Sequence, residues 1–153
     1  MDNSKLYIIT FLIASSWDII LRFLSENYER IPNLLKYDFI RYLEPYFKKH
    51  TLLSAALIAG FIGATCQFII IQFQKFPNFS NYQLIIQFLG ITFIIASLYG
   101  FLMKWSNLFP HIEDTYYKKL GTIRSMYHDG VSGIIVQLSI LCLLLINKNL
   151  LKI

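Results

Sequence analysis

Residues 51–74, 76–103 and 130–147 form three long apolar runs without a single formal charge. At roughly 1.5 Å of rise per helical residue, about 20 such residues cross a bilayer core of about 30 Å. Segments like these fix the solvent before they fix the fold. In hydrocarbon every backbone N–H and C=O must be satisfied within the structure, which leaves helices or closed barrels. Runs of this length without period-two alternation predict helices. The chain has 153 residues, 56% of them hydrophobic, room for a single transmembrane domain, 1–153.

A fourth run, 6–24, is interrupted by Asp18 and Arg22. A charge at mid-helix costs about 2.5–3.5 kcal/mol on insertion scales. These two are spaced i,i+4 with the acid first, so they can pair on one helix face, and Arg22 can snorkel outward. Ala14-Ser15-Ser16 imitates a signal-peptide cleavage site, but the apolar pattern resumes at Trp17. The expectation is an all-α, integral membrane four-helix bundle with spans near 6–24, 52–73, 84–103 and 131–147.

Two amphipathic loop helices are expected between the spans, near 32–47 and 110–120. In the first, Pro32 suits an initial turn, Leu35, Phe39, Tyr42, Leu43 and Tyr46 form an apolar stripe, and Pro45 should kink or end the helix. In the second, Pro110 starts a helix with Glu113 and Asp114 in its first turn, and Gly121 caps it. Asp129-Gly130 then reads as the turn into the last span.

Arg30, Lys36, Arg41, Lys48, Lys49, Lys104, Lys118, Lys119 and Arg124 fall in the connections 25–51 and 104–130, against Lys5, Lys75, Lys148 and Lys152 on the other side. The positive-inside rule therefore expects both long loops in the cytoplasm. The formal charge of +5 lies between the apolar runs, which points to anionic headgroups rather than nucleic acid.

Small residues at helical spacing mark the second span. Ala56, Gly60 and Ala64 form one stripe, and Ala59 and Gly63 lead beside it to Gln67. Such stripes let helices approach closely, within one chain or in a homo-oligomer. Cys66 and Cys142 sit mid-run and read as small packing residues.

Chemistry has two candidate places. An intramembrane acid is a functional hypothesis by default, so Asp18 with Arg22 suggests a small transporter or channel component, with Gln67, Gln87 and Gln137 as cross-helix partners. His111, Asp114, His128 and Asp129 carry imidazole and carboxylate groups suited to a transition metal, which would make the 111–129 loop the site of a membrane enzyme. No HExxH, P-loop, GxSxG, GxGxxG or TVGYG motif occurs, and no cofactor is implied.

Four strings together, Trp17–Leu24 (WDIILRFL), Ala56–Ala64 (ALIAGFIGA), Phe109–Gly121 (FPHIEDTYYKKLG) and Met126–Gly133 (MYHDGVSG), resemble small multi-span membrane proteins of nucleocytoplasmic large DNA viruses of the mimivirus and marine algal virus type. The resemblance implies a non-enzymatic structural or assembly component of a viral inner membrane or host-derived membrane, its basic loops facing capsid or core proteins. It carries no functional residues over.

Overall fold

The computed structural model describes residues 2–33, 36–77, 81–105 and 122–146. Five α-helices lie within them: α1 (Asn3–Glu26), α2 (Asp38–Lys49), α3 (Leu52–Phe73), α4 (Tyr82–Trp105) and α5 (Thr122–Ile146). A 3-10 turn, Tyr28–Arg30, follows α1. Four of the helices are long and apolar enough to span a bilayer. The 24 residues of α1 extend about 36 Å, more than a hydrocarbon core. Side chains close the N-terminal ends: Asp2 accepts from Ser4 N, Thr51 from Ser54 N, and Asn81 from Gln83 N and Leu84 N.

The distribution of side chains is inverted relative to a water-soluble bundle. Ile8, Leu12, Phe23, Leu53, Phe61, Phe68, Ile86 and Leu145 stand exposed, while Thr10, Gln67, Thr92, Ser125 and Gln137 are buried. An outward face this apolar needs lipid around it, because in water it would be one continuous aggregation surface. The protein is a multi-pass integral membrane protein.

The four spans pack as two hairpins, α1 against α3 and α4 against α5, with lesser contacts of α1 on α5 and of α3 on α4. The hairpins repeat one another. Thr10-Phe11-x-Ile13-Ala14-Ser15 in α1 matches Thr92-Phe93-x-Ile95-Ala96-Ser97 in α4, and Gly60-x-x-Gly63-x-x-x-Gln67-x-x-Ile70 in α3 matches Gly130-x-x-Gly133-x-x-x-Gln137-x-x-Ile140 in α5. The packing repeats with the letters. Gly60 lies against Ser15 and Phe11, and Gly130 against Ser97 and Phe93; Gly63 lies against Ala14 and Thr10, and Gly133 against Ala96 and Thr92. Thr10 Oγ1 donates to the Leu6 carbonyl at 2.8 Å, and Thr92 Oγ1 to the Phe88 carbonyl at 2.9 Å. Lipid tails are as apolar as Leu, so close backbone approach and van der Waals contact must hold such helices together, and the glycines permit that approach. An approximate two-fold along the helices, exchanging α1 with α4 and α3 with α5, accounts for all these pairings; parallel repeats in membrane proteins share this arrangement.

Three expectations are corrected. The last span does not start at 131: α5 begins at Thr122 and runs as helix through Asp129-Gly130. Gly130 is a packing position against α4 rather than a turn. The first loop helix starts at Asp38 and continues past Pro45 to Lys49. Pro45 removes one helical hydrogen bond, but Ile40, Tyr46 and Phe47 are buried, and Tyr46 and Phe47 pack with Leu21 of α1 and Ala55 of α3. Finally, Arg22 does not pair with Asp18. Its Nε is 2.8 Å from Glu26 Oε1, and Nη1 donates to the His50 carbonyl at 3.0 Å, tying α1 to the end of α2. The second expected loop helix, 110–120, with His111 and Asp114, lies outside the described residues.

Candidate functional site

Between the two hairpins lies a cavity of about 220 Å³ with Asp18 and Asp129 in its wall. Its lining follows the repeat: Thr10 and Thr92, Ala14 and Ala96, Trp17 and Tyr99, and Gly63 and Gly133 are matched pairs from opposite halves. The acids obey the same frame with one exchange. In the first hairpin the acid is Asp18 on α1, opposite Ala59 on α3. In the second it is Asp129 on α5, and the position matching Asp18 is Gly100 on α4. A Cβ at Gly100 would overlap the Asp129 carboxylate, so that carboxylate occupies the room the glycine leaves. Each hairpin thus carries one acid in the same layer of the bundle.

Asp18 lies eight residues before the end of α1, and Asp129 seven after the start of α5. Both therefore sit about 10–12 Å in from the helix ends on the side of the long connections. Arg22 still acts on Asp18 through space, although its hydrogen bonds go to Glu26 and His50. At this end α2 contributes Leu43 and Tyr46 to the wall. Burial, and next the negative charge of Asp18, push the Tyr46 hydroxyl above its ordinary range, so Tyr46 stays a neutral phenol at physiological pH. Its ring packs against that of His50, tilted by 41° with centroids 4.7 Å apart.

Toward the opposite end, Gln137 Nε2 donates to Gln67 Oε1. The two are repeat equivalents and both are buried, so the bond crosses the approximate axis. Gln67 Nε2 and Gln137 Oε1 have no partner among the described residues, and neither has Trp17 Nε1. The cavity therefore runs from an acidic layer to an amide layer between walls of Ile58, Ile62, Ile70 and Val136.

The small-residue stripe works within the chain. Ser15 Oγ donates to the Ala56 carbonyl at 2.8 Å, and Gly60 and Gly63 take the α1 contacts, while Ala64 is half-buried beside them. Of the four metal candidates, His128 and Asp129 are adjacent on α5, and His111 and Asp114 lie outside the described residues. Among the described residues no three His, Cys, Asp or Glu side chains group as a metal site. The internal repeat is the sequence signal that singles out Asp129 as the partner of Asp18 in the cavity wall. No family model, curated protein or solved structure matches the chain.

Proposed function

We propose that this protein is a small membrane carrier that exchanges protons for a positively charged solute through the cavity between its two halves, with Asp18 and Asp129 binding proton or solute in turn. The observation that carries this is one acid from each repeat in the wall of a single cavity. A charged acid at the centre of a span costs about 2.5–3.5 kcal/mol and less toward its ends, and acids retained within spans commonly mark substrate or proton pathways. A structural membrane role, including the one implied by the resemblance to viral membrane proteins, accounts for the lipid-facing helices but does not by itself call for one acid from each half in the wall of one cavity.

The two halves suit rocking about their shared axis, the motion by which repeat-built carriers expose a fixed site to either side. With the long loops cytoplasmic, the acidic layer and its α2 cover face the cytoplasm.

Purified protein in proteoliposomes on a solid-supported membrane should give a charge-displacement current when external pH is jumped. Replacing both acids, Asp18→Asn with Asp129→Asn, should cut the displaced charge at least about tenfold, since neutral amides carry no exchangeable proton. A current unchanged by the double substitution, or one no larger than in empty vesicles, contradicts the assignment.

A further inference from the structure

We infer that the C-terminal end of α1 carries a second site, one that binds the phosphate of an anionic phospholipid headgroup. It is separate from the central cavity and does not depend on the carrier assignment. A polar pocket lies there between the last residues of α1, the 3-10 turn that follows and α2. Ser25, Glu26, Glu29, Arg30, Arg41 and Glu44 line it, and none of them lines the central cavity.

The unmet groups of this wall are all donors. Each carboxylate already has a cation. Glu26 Oε1 lies 2.8 Å from Arg22 Nε, Glu44 Oε1 2.7 Å from Lys48 Nζ, and Glu29 Oε2 3.9 Å from Lys36 Nζ. Arg30 and Arg41 form no ion pair among the described residues, so two guanidiniums stand uncompensated. Ser25 is 4% exposed, and its Oγ has no hydrogen-bond partner among the described residues. A buried hydroxyl is ordinarily satisfied, and one left open in a pocket wall marks room for an acceptor. Two planar guanidiniums and a hydroxyl suit phosphate oxygens, which accept and do not donate. A metal cation would need the carboxylates that Arg22, Lys36 and Lys48 already hold.

Depth identifies the source of the phosphate. The 24 residues of α1 extend about 36 Å, beyond a hydrocarbon core of about 30 Å, and Ser25 is one residue from the end. The pocket therefore falls in the headgroup layer.

Native mass spectrometry of the full chain, released from detergent micelles holding equal amounts of phosphatidylglycerol and phosphatidylcholine, tests the site. The unaltered chain should retain phosphatidylglycerol at least about fivefold over phosphatidylcholine, and Arg30→Gln with Arg41→Gln should erase that preference. Lys5→Gln with Lys75→Gln removes the same charge elsewhere and should leave the preference intact. Equal retention of the two lipids by the unaltered chain, which requires no variant to fold, overturns the proposal. So does a preference lost equally in both double variants, which would reflect net charge alone. Release of phosphatidylglycerol by excess inorganic phosphate would assign the pocket to a soluble anion and overturn the lipid source.

Discussion

Gly63→Leu should unfold the bundle, and Gly133→Leu should do the same by a similar amount. A Cβ at Gly63 would lie 2.6 Å from Ala14 Cβ, and one at Gly133 2.8 Å from Ala96 Cβ. An alanine Cβ is fixed to its backbone and cannot swing aside, so the facing helix itself would have to retreat; Thr10 and Thr92 stand close behind, the Thr10 carbonyl at 3.6 Å from the first position and Thr92 Cγ2 at 3.4 Å from the second. Overpacking a dense interface costs typically about 1–3 kcal/mol for added methylenes, and a leucine at these positions exceeds the lower end of that range. Unfolding in mixed detergent and SDS micelles, followed by circular dichroism, reads the loss. Gly90→Leu is the control: nothing lies within 4 Å of its would-be Cβ, and its stability should be unchanged. Gly63→Ala combined with Ala14→Gly should recover most of what Gly63→Ala alone loses. If Gly63→Leu proves harmless, the α1–α3 contact is not as close as described.

Gln67→Leu should destabilise by about 1–3 kcal/mol, because it strands the buried Gln137 amide with neither donor nor acceptor matched. The bond itself is expected to contribute less, since cross-helix hydrogen bonds in membranes average about 0.6 kcal/mol and reach about 1.7. Gln67→Leu with Gln137→Leu should therefore lie closer to the unaltered protein than either single change, giving a double-mutant cycle with clear positive coupling. The two single substitutions should cost similar amounts, as residues exchanged by an approximate axis must. Additive losses would show that the amides do not meet.

The four spans were legible in the sequence because apolar length alone determines them. The small-residue face of α3 was legible too, since Ala56, Gly60 and Gly63 recur at helical spacing. Three features were not. The start of α5 was hidden because Arg124, His128 and Asp129 break the apolar run that marks a span, while the helix extends on regardless into the interfacial layer. The partner of Arg22 was ambiguous, since Asp18 and Glu26 stand equally i,i±4 from it, and the chosen pair is set by the His50 carbonyl on the far side of the guanidinium. The depth at which Asp129 lines the cavity depends on tertiary packing against Gly100, although the repeat of Gly-x-x-Gly-x-x-x-Gln would have aligned it with Ala59, opposite Asp18. A repeat carried by so few residues is quiet in the sequence because only the interface positions are constrained; the lipid-facing ones need only be apolar.

Thiol accessibility tests the central claim most directly, that an apolar-coated bundle holds between its halves a water-reachable cavity carrying two acids. Cys66 lies in the cavity wall, half-buried by protein, and Cys142 stands exposed on the outer face of α5. In proteoliposomes, a small water-soluble cationic methanethiosulfonate should modify Cys66 in the Cys142→Ser protein and leave Cys142 untouched in the Cys66→Ser protein. The thiol more covered by protein is then the reactive one, because lipid rather than water surrounds the other. Modification of Cys142 together with an inert Cys66 would contradict both the membrane setting of the outer face and the cavity between the halves.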